Sequence, residues 1–89
     1  MRRSPEYFAD EDLDLIYIAK RLSEAQRVEG LLTAEAIDYV VAADEYIGGV
    51  IFRRTRVGAF FYVRATDGDR ARAVLQRHGY RPLALDEQE

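Results

Sequence analysis

The residues best suited to recognition chemistry stand in the stretch "DEYIGGVIFRRTRVG", from Asp44 to Gly58. Arg53, Arg54 and Arg56 bring three guanidinium groups within four positions. Each is a planar fork that suits bidentate contact with carboxylate or phosphate. Gly48 and Gly49 precede them and allow close backbone approach to an anion, and Tyr46 supplies a neighbouring ring. A loop of this composition predicts a site for a small anion or for a protein partner's carboxylates. The plain alternative is a solvated hairpin whose charges meet only water.

Other chemistry is scarcer. There is no cysteine, so thiolate chemistry and a disulfide framework are excluded. His78 is the single histidine and stands where a helix dipole would favour it, at a predicted helix end. Ser23 has no neighbouring base and reads as a helix cap. Asp10, Glu11, Asp12 and Asp14 are adjacent carboxylates, which form a solvated acidic lead-in more readily than a cation cage. No acid–base pair or nucleophile is evident, so the residues predict no catalytic site, metal site or cofactor.

The elements that must position these residues follow from pattern. Eighty-nine residues make one domain, and 48% hydrophobic content is that of a globular chain. The expected organisation is an N-terminal arm over 1–12, flexible or weakly docked, a domain over 13–85 and an acidic tail over 86–89. Leu13 to Lys20 is apolar on both faces, as in a strand covered on both sides. Ser23 with Gln26 three positions on reads as a capping box. Leu22, Ala25, Val28, Leu32 and Ala36 then recur at helical steps, predicting a helix from about Ser23 to Glu35. Gly30 inside it suggests a close helix-to-sheet approach. "AIDYVVAA" reads as a second strand and "AFFYVRA" as a third. Between them the sequence suggests a linker, with a short strand over 50–53 and a turn over 55–58. "TDGDRARAVLQRHG" reads as a second helix, capped by Thr66 or Asp67 and stopped by Gly79, with Ala71, Val74, Leu75 and His78 inward. "YRPLAL" predicts a fourth strand, confined to an edge by Pro82.

The order β-α-β-β-α-β is the ferredoxin-like plan, an α+β sandwich with an antiparallel sheet and two helices on one face. One face of strands one and three should meet the helices. The set is either Leu15, Tyr17, Ala19, Ala59, Phe61 and Val63, or Ile16, Ile18, Phe60 and Tyr62. The other face would then be covered by a second copy of the chain, because a bare apolar face is unusual on a monomer. The expectation is a homo-oligomer formed through the open sheet face.

"IAKRLSEAQRVEGLLTAEAIDYVV", "EYIGG", "VGAFFYV" and "DGDRARAVLQRHGY" together resemble a small bacterial family labelled as signal-transducing proteins of unestablished function. The resemblance runs from about Asp14 to Pro82. It rests on Glu24, Ala25, Glu29, Leu32, Ile37, Tyr46 to Gly49, Phe61 to Val63, Arg70 and Ala71. It implies the ferredoxin-like fold, a kinship in shape to nitrogen-regulatory signalling proteins, and no particular ligand. Family members often have glycine where this chain has Ala36.

The expected function is a non-enzymatic binding or regulatory module acting as an oligomer. An anion- or nucleotide-sensing domain using the arginine loop is the alternative. "IYIAKRL" and "RVGAFFYV" loosely resemble the motifs of RNA-recognition modules, so single-stranded RNA binding is a further alternative. A net charge of −3 argues against nucleic acid. No apolar run approaches the ~20 residues that span a bilayer, so a cytoplasmic protein without membrane contact is expected.

Overall fold

The computed structural model of the chain describes residues 1–48 and 54–83. Strand β1 (Leu13–Ala19) is followed by helix α1 (Leu22–Ala34), strands β2 (Tyr39–Gly48) and β3 (Arg54–Arg64), and helix α2 (Gly68–Arg77). Short 3-10 turns occupy Pro5–Phe8 and Ala65–Asp67. The three strands form one antiparallel sheet in the order β1-β3-β2. The chain is thus an α+β protein with two helices on one sheet face. No described helix is long and apolar enough to cross a membrane.

Both helices pack into one core. Ala25, Val28 and Leu32 of α1 and Ala71, Val74 and Leu75 of α2 meet Ile16, Ala19, Tyr39, Phe61 and Val63 of the sheet. Fully burying a side chain such as Ile16, Leu32, Phe61 or Leu75 contributes about 1.5–3 kcal/mol each. His78 is not part of the inner stripe; it is exposed and ends α2, and Gly79 follows with φ 84° as a left-handed stop.

The sheet face is a mixture of the two expected sets, because β1 is bulged. Leu15 pairs with Tyr62 and Tyr17 with Phe61, leaving Ile16 as the extra residue. Ile16 and Tyr17 therefore both turn to the helix side, with Ala19, Ala59, Phe61 and Val63. Leu15, Ile18, Phe60 and Tyr62 share the opposite face.

That opposite face is partly covered by the chain itself. Phe8 is only 2% exposed, as are Val40 at 5% and Phe60 at 8%, and none of them belongs to the helix-side core. Arg64, an outer-face residue, sets its guanidinium 5.1 Å from the Phe8 ring centre. It also donates to the carboxylates of Glu11 at 2.9 Å and Asp38 at 3.2 Å. Ahead of Phe8, Arg3 N–H donates to the Tyr39 carbonyl, and Tyr39 N–H to the Met1 carbonyl, a short parallel bridge on the outer edge of β2. Residues 1–12, expected as a flexible or weakly docked arm, are held at these points.

Two other expectations are corrected, those for the linker and for Gly30. Asp44–Gly48 and Arg54–Gly58 are not an irregular linker with a turn; they are paired from Asp44↔Gly58 to Gly48↔Arg54 as the ends of β2 and β3. The expected strand over 50–53 lies outside the described residues. Of the fourth strand expected over 80–85, residues 84–85 lie outside the described residues; Tyr80–Leu83 carry no strand, and Leu83 N–H donates to the Ile16 carbonyl at 2.8 Å on the free edge of β1. Gly30 approaches nothing: a Cβ there would meet no atom within 4 Å.

Candidate functional site

Strands β2 and β3, at ten and eleven residues, run past the helices and leave part of the helix-side face open. On that part Ala19 pairs with Ala59, and Ala59 with Ala43, a row of methyl groups across all three strands. Larger residues here would fill the space; alanines leave a concavity. A cavity of about 280 Å³ lies over the row. Leu22, in the first turn of α1, and Val57, on β3, line it and are 75% and 67% exposed.

Three cations from two separate segments line the same cavity. Arg2 comes from the arm, which pairs with the β2 edge; Lys20 and Arg21 come from the β1–α1 junction. Arg2 has Glu29 at 3.7 Å. Lys20 and Arg21 form no ion pair among the described residues. The junction is held by Glu24, whose carboxylate accepts from the Lys20 backbone N–H and from the Tyr17 hydroxyl, each at 2.9 Å. This replaces the expected capping box. Helix α1 starts one residue earlier than predicted, its N-cap is Arg21, and Glu24 in the first turn reaches back where Gln26 was expected to. Burial, then the Glu24 hydrogen bond, pushes the Tyr17 phenol well above its ordinary range.

The predicted arginine site lies on the other side of the same sheet end. Tyr46 pairs with Arg56, and Gly48 with Arg54. Gly49 and Arg53 lie outside the described residues. The Arg56 side chain lies over Gly48, where an added Cβ would meet its Cδ at 3.2 Å and the Tyr46 ring at 3.3 Å. The Tyr46 ring in turn crosses β3 above Gly58. A Cβ at Gly58 would meet Tyr46 Cε1 at 3.0 Å and Ile18 Cγ2 at 2.9 Å. Lys20 links the two sides: its ammonium is 5.9 Å from the Tyr46 ring centre, and it also lines a second cavity, of about 290 Å³, with Tyr17, Ile18, Tyr46, Arg81 and Leu83.

Tyr46, Gly48 and Arg56 are therefore brought together as the sequence suggested. The sequence reading missed Arg2, Lys20 and Arg21 with the alanine row. The signal available for that row was an alanine on the helix-side face of each strand: Ala19, Ala43 and Ala59. The acidic lead-in is dispersed: Glu11 meets Arg64, and Asp14 meets Arg72 at 3.7 Å. Among the described residues no group of three His, Cys, Asp or Glu is placed to hold a metal ion. Comparison with protein-family models, with curated proteins and with solved structures finds no match.

Proposed function

We propose that this chain is a non-enzymatic binding or regulatory module that takes an anionic ligand at the exposed end of its sheet. One observation carries the reading. In a chain of net charge −3, Arg2, Lys20 and Arg21 converge on a cavity whose floor is apolar. Clustered cations in an acidic chain mark a place where a counter-charge is favourable. The reading is in keeping with a cytoplasmic, ferredoxin-like module of the signal-transducing family that the sequence resembles. The Leu83 hydrogen bond to Ile16 supports that plan, since it falls on the edge of β1 where a fourth strand would pair.

A thermal-shift panel of carboxylates, phosphates and nucleotides tests it. A ligand at 100 times its Kd adds about 2.7 kcal/mol. The shift should vanish when Lys20 and Arg21 are both replaced by glutamine. A panel without effect, or a shift indifferent to that double replacement, refutes the reading.

Self-association is the second reading. The outer face carries two cross-strand apolar rows, Ile18–Phe60–Ala42 and Leu15–Tyr62–Val40, and Ile18, Leu15, Tyr62 and Ala42 stay partly exposed. Sedimentation velocity decides it: Ile18→Lys should convert a dimer to a monomer, and a wild-type monomer at high micromolar concentration excludes it.

A further inference from the structure

We infer that the ligand of the Ala19–Ala59–Ala43 cavity is a small organic anion with an apolar body, such as an alkyl or aryl phosphate or carboxylate. The inference rests on the anion-binding reading above and adds the class of ligand. The cavity has two chemically distinct parts. Arg2, Lys20 and Arg21 supply guanidinium and ammonium donors for a charged head. The alanine row, Val41, Leu22 and Val57 supply a floor and walls without charge.

An inorganic anion would engage the first part and leave the second in water. Leu22 and Val57 are two of the five large apolar residues that stand exposed among the described residues, and both border this one cavity. A ligand with an apolar body removes them from water at the same time as it satisfies the cations. A neutral apolar ligand would instead leave Lys20 and Arg21 desolvated and unpaired, which is unfavourable. The volume, about 280 Å³, is at the small end of ligand cavities and suits a short chain or one ring. The alanines matter because they are alanines: any larger side chain at 19, 43 or 59 would occupy the place of the body.

The test is a set of amide chemical-shift titrations on the full chain with hexyl phosphate, inorganic phosphate and hexanol. Hexyl phosphate should give saturable shifts at Lys20, Arg21, Ala43 and Val57, with a Kd at least tenfold below that of inorganic phosphate. Hexanol should give none. Ala43 is exposed, so Ala43→Leu should fill the floor without disturbing the rest of the amide spectrum. It should abolish the advantage of hexyl phosphate and leave inorganic phosphate binding unchanged. Replacing Lys20 and Arg21 by glutamine should weaken both phosphates. Equal affinity for the two phosphates would overturn the ligand class while leaving the anion reading standing. No shift with either would overturn both. Hexanol binding as tight as hexyl phosphate, or shifts at these residues that follow protein concentration alone, would assign the cavity to a neutral ligand or to a second copy and overturn the inference.

Discussion

Replacing Ala36 by glycine should stabilise the domain. Ala36 has φ 56°, in the left-handed region that glycine adopts without penalty. It is the residue that ends α1: Ala36 N–H donates to the Thr33 carbonyl and Ile37 N–H to the Leu32 carbonyl, each at 3.0 Å, the paired bonds of a Schellman stop. The left-handed conformation costs an L-residue about 1–2 kcal/mol. Glycine removes that cost but adds unfolded-state entropy worth about 0.4–1 kcal/mol. Ala36 is exposed, so losing its methyl group sacrifices no packing. The net gain is about 0.5–1 kcal/mol by difference, or roughly 2–8 °C in Tm for a domain of this size. Calorimetry of Ala36→Gly beside wild type measures it. Ala36→Val supplies the opposite sign, because a branched side chain is worse still at positive φ. A Tm for Ala36→Gly at or below wild type would refute the left-handed stop and the reasoning built on it.

Gly30→Ala should also stabilise, by about 0.8–1 kcal/mol, since Gly30 is inside α1 and an added methyl meets nothing; denaturant titration gives the value. Gly58→Ala should cost about 1–3 kcal/mol, because its Cβ would press on Ile18, Tyr46 and the Ala19 carbonyl, and the urea midpoint should fall accordingly. Burial, followed by the Glu24 hydrogen bond, raises the Tyr17 phenol in the folded state. Its contribution is therefore complete below the unfolded value of about 10 and is lost as pH rises through the folded one. Stability measured across that range should decline on the alkaline side, and Tyr17→Phe should flatten the decline while lowering stability at neutral pH.

The helices were legible because their signals are local. Ala25, Val28 and Leu32 recur at helical steps, and Gly79 announces the end of α2. The strands were legible as strands, but the faces of β1 were not. A bulge is set by how β1 meets β3, and "LIYIA" is apolar at every position, so no polar residue marks the slip at Ile16. The ends of β2 and β3 were read as a linker for a related reason. Asp44, Glu45, Arg56 and Gly58 are poor strand formers, and pairing with each other overrides that preference. Tyr46, Gly48 and Arg56 were within reach because they are near in sequence. Arg2, Lys20 and Arg21 were not, because what unites them is the bridge between the arm and Tyr39, far from β1 in the chain.

The outer edge of β2 has one further consequence. The arm pairs with it only at Tyr39. By alternation, Val41, Ala43, Glu45 and Ile47 also turn their backbone N–H and C=O groups outward, and their side chains form one row on the helix-side face. Three of the four side chains are apolar, the kind of edge that recruits further strands and seeds fibrils. Glu45 is the interruption. When two such edges meet antiparallel about this point, it confronts its own copy, with Asp44 beside it, and the approach is repelled. A carboxylate that belongs to neither the core nor the cavity lining would thus disfavour polymerisation through this edge.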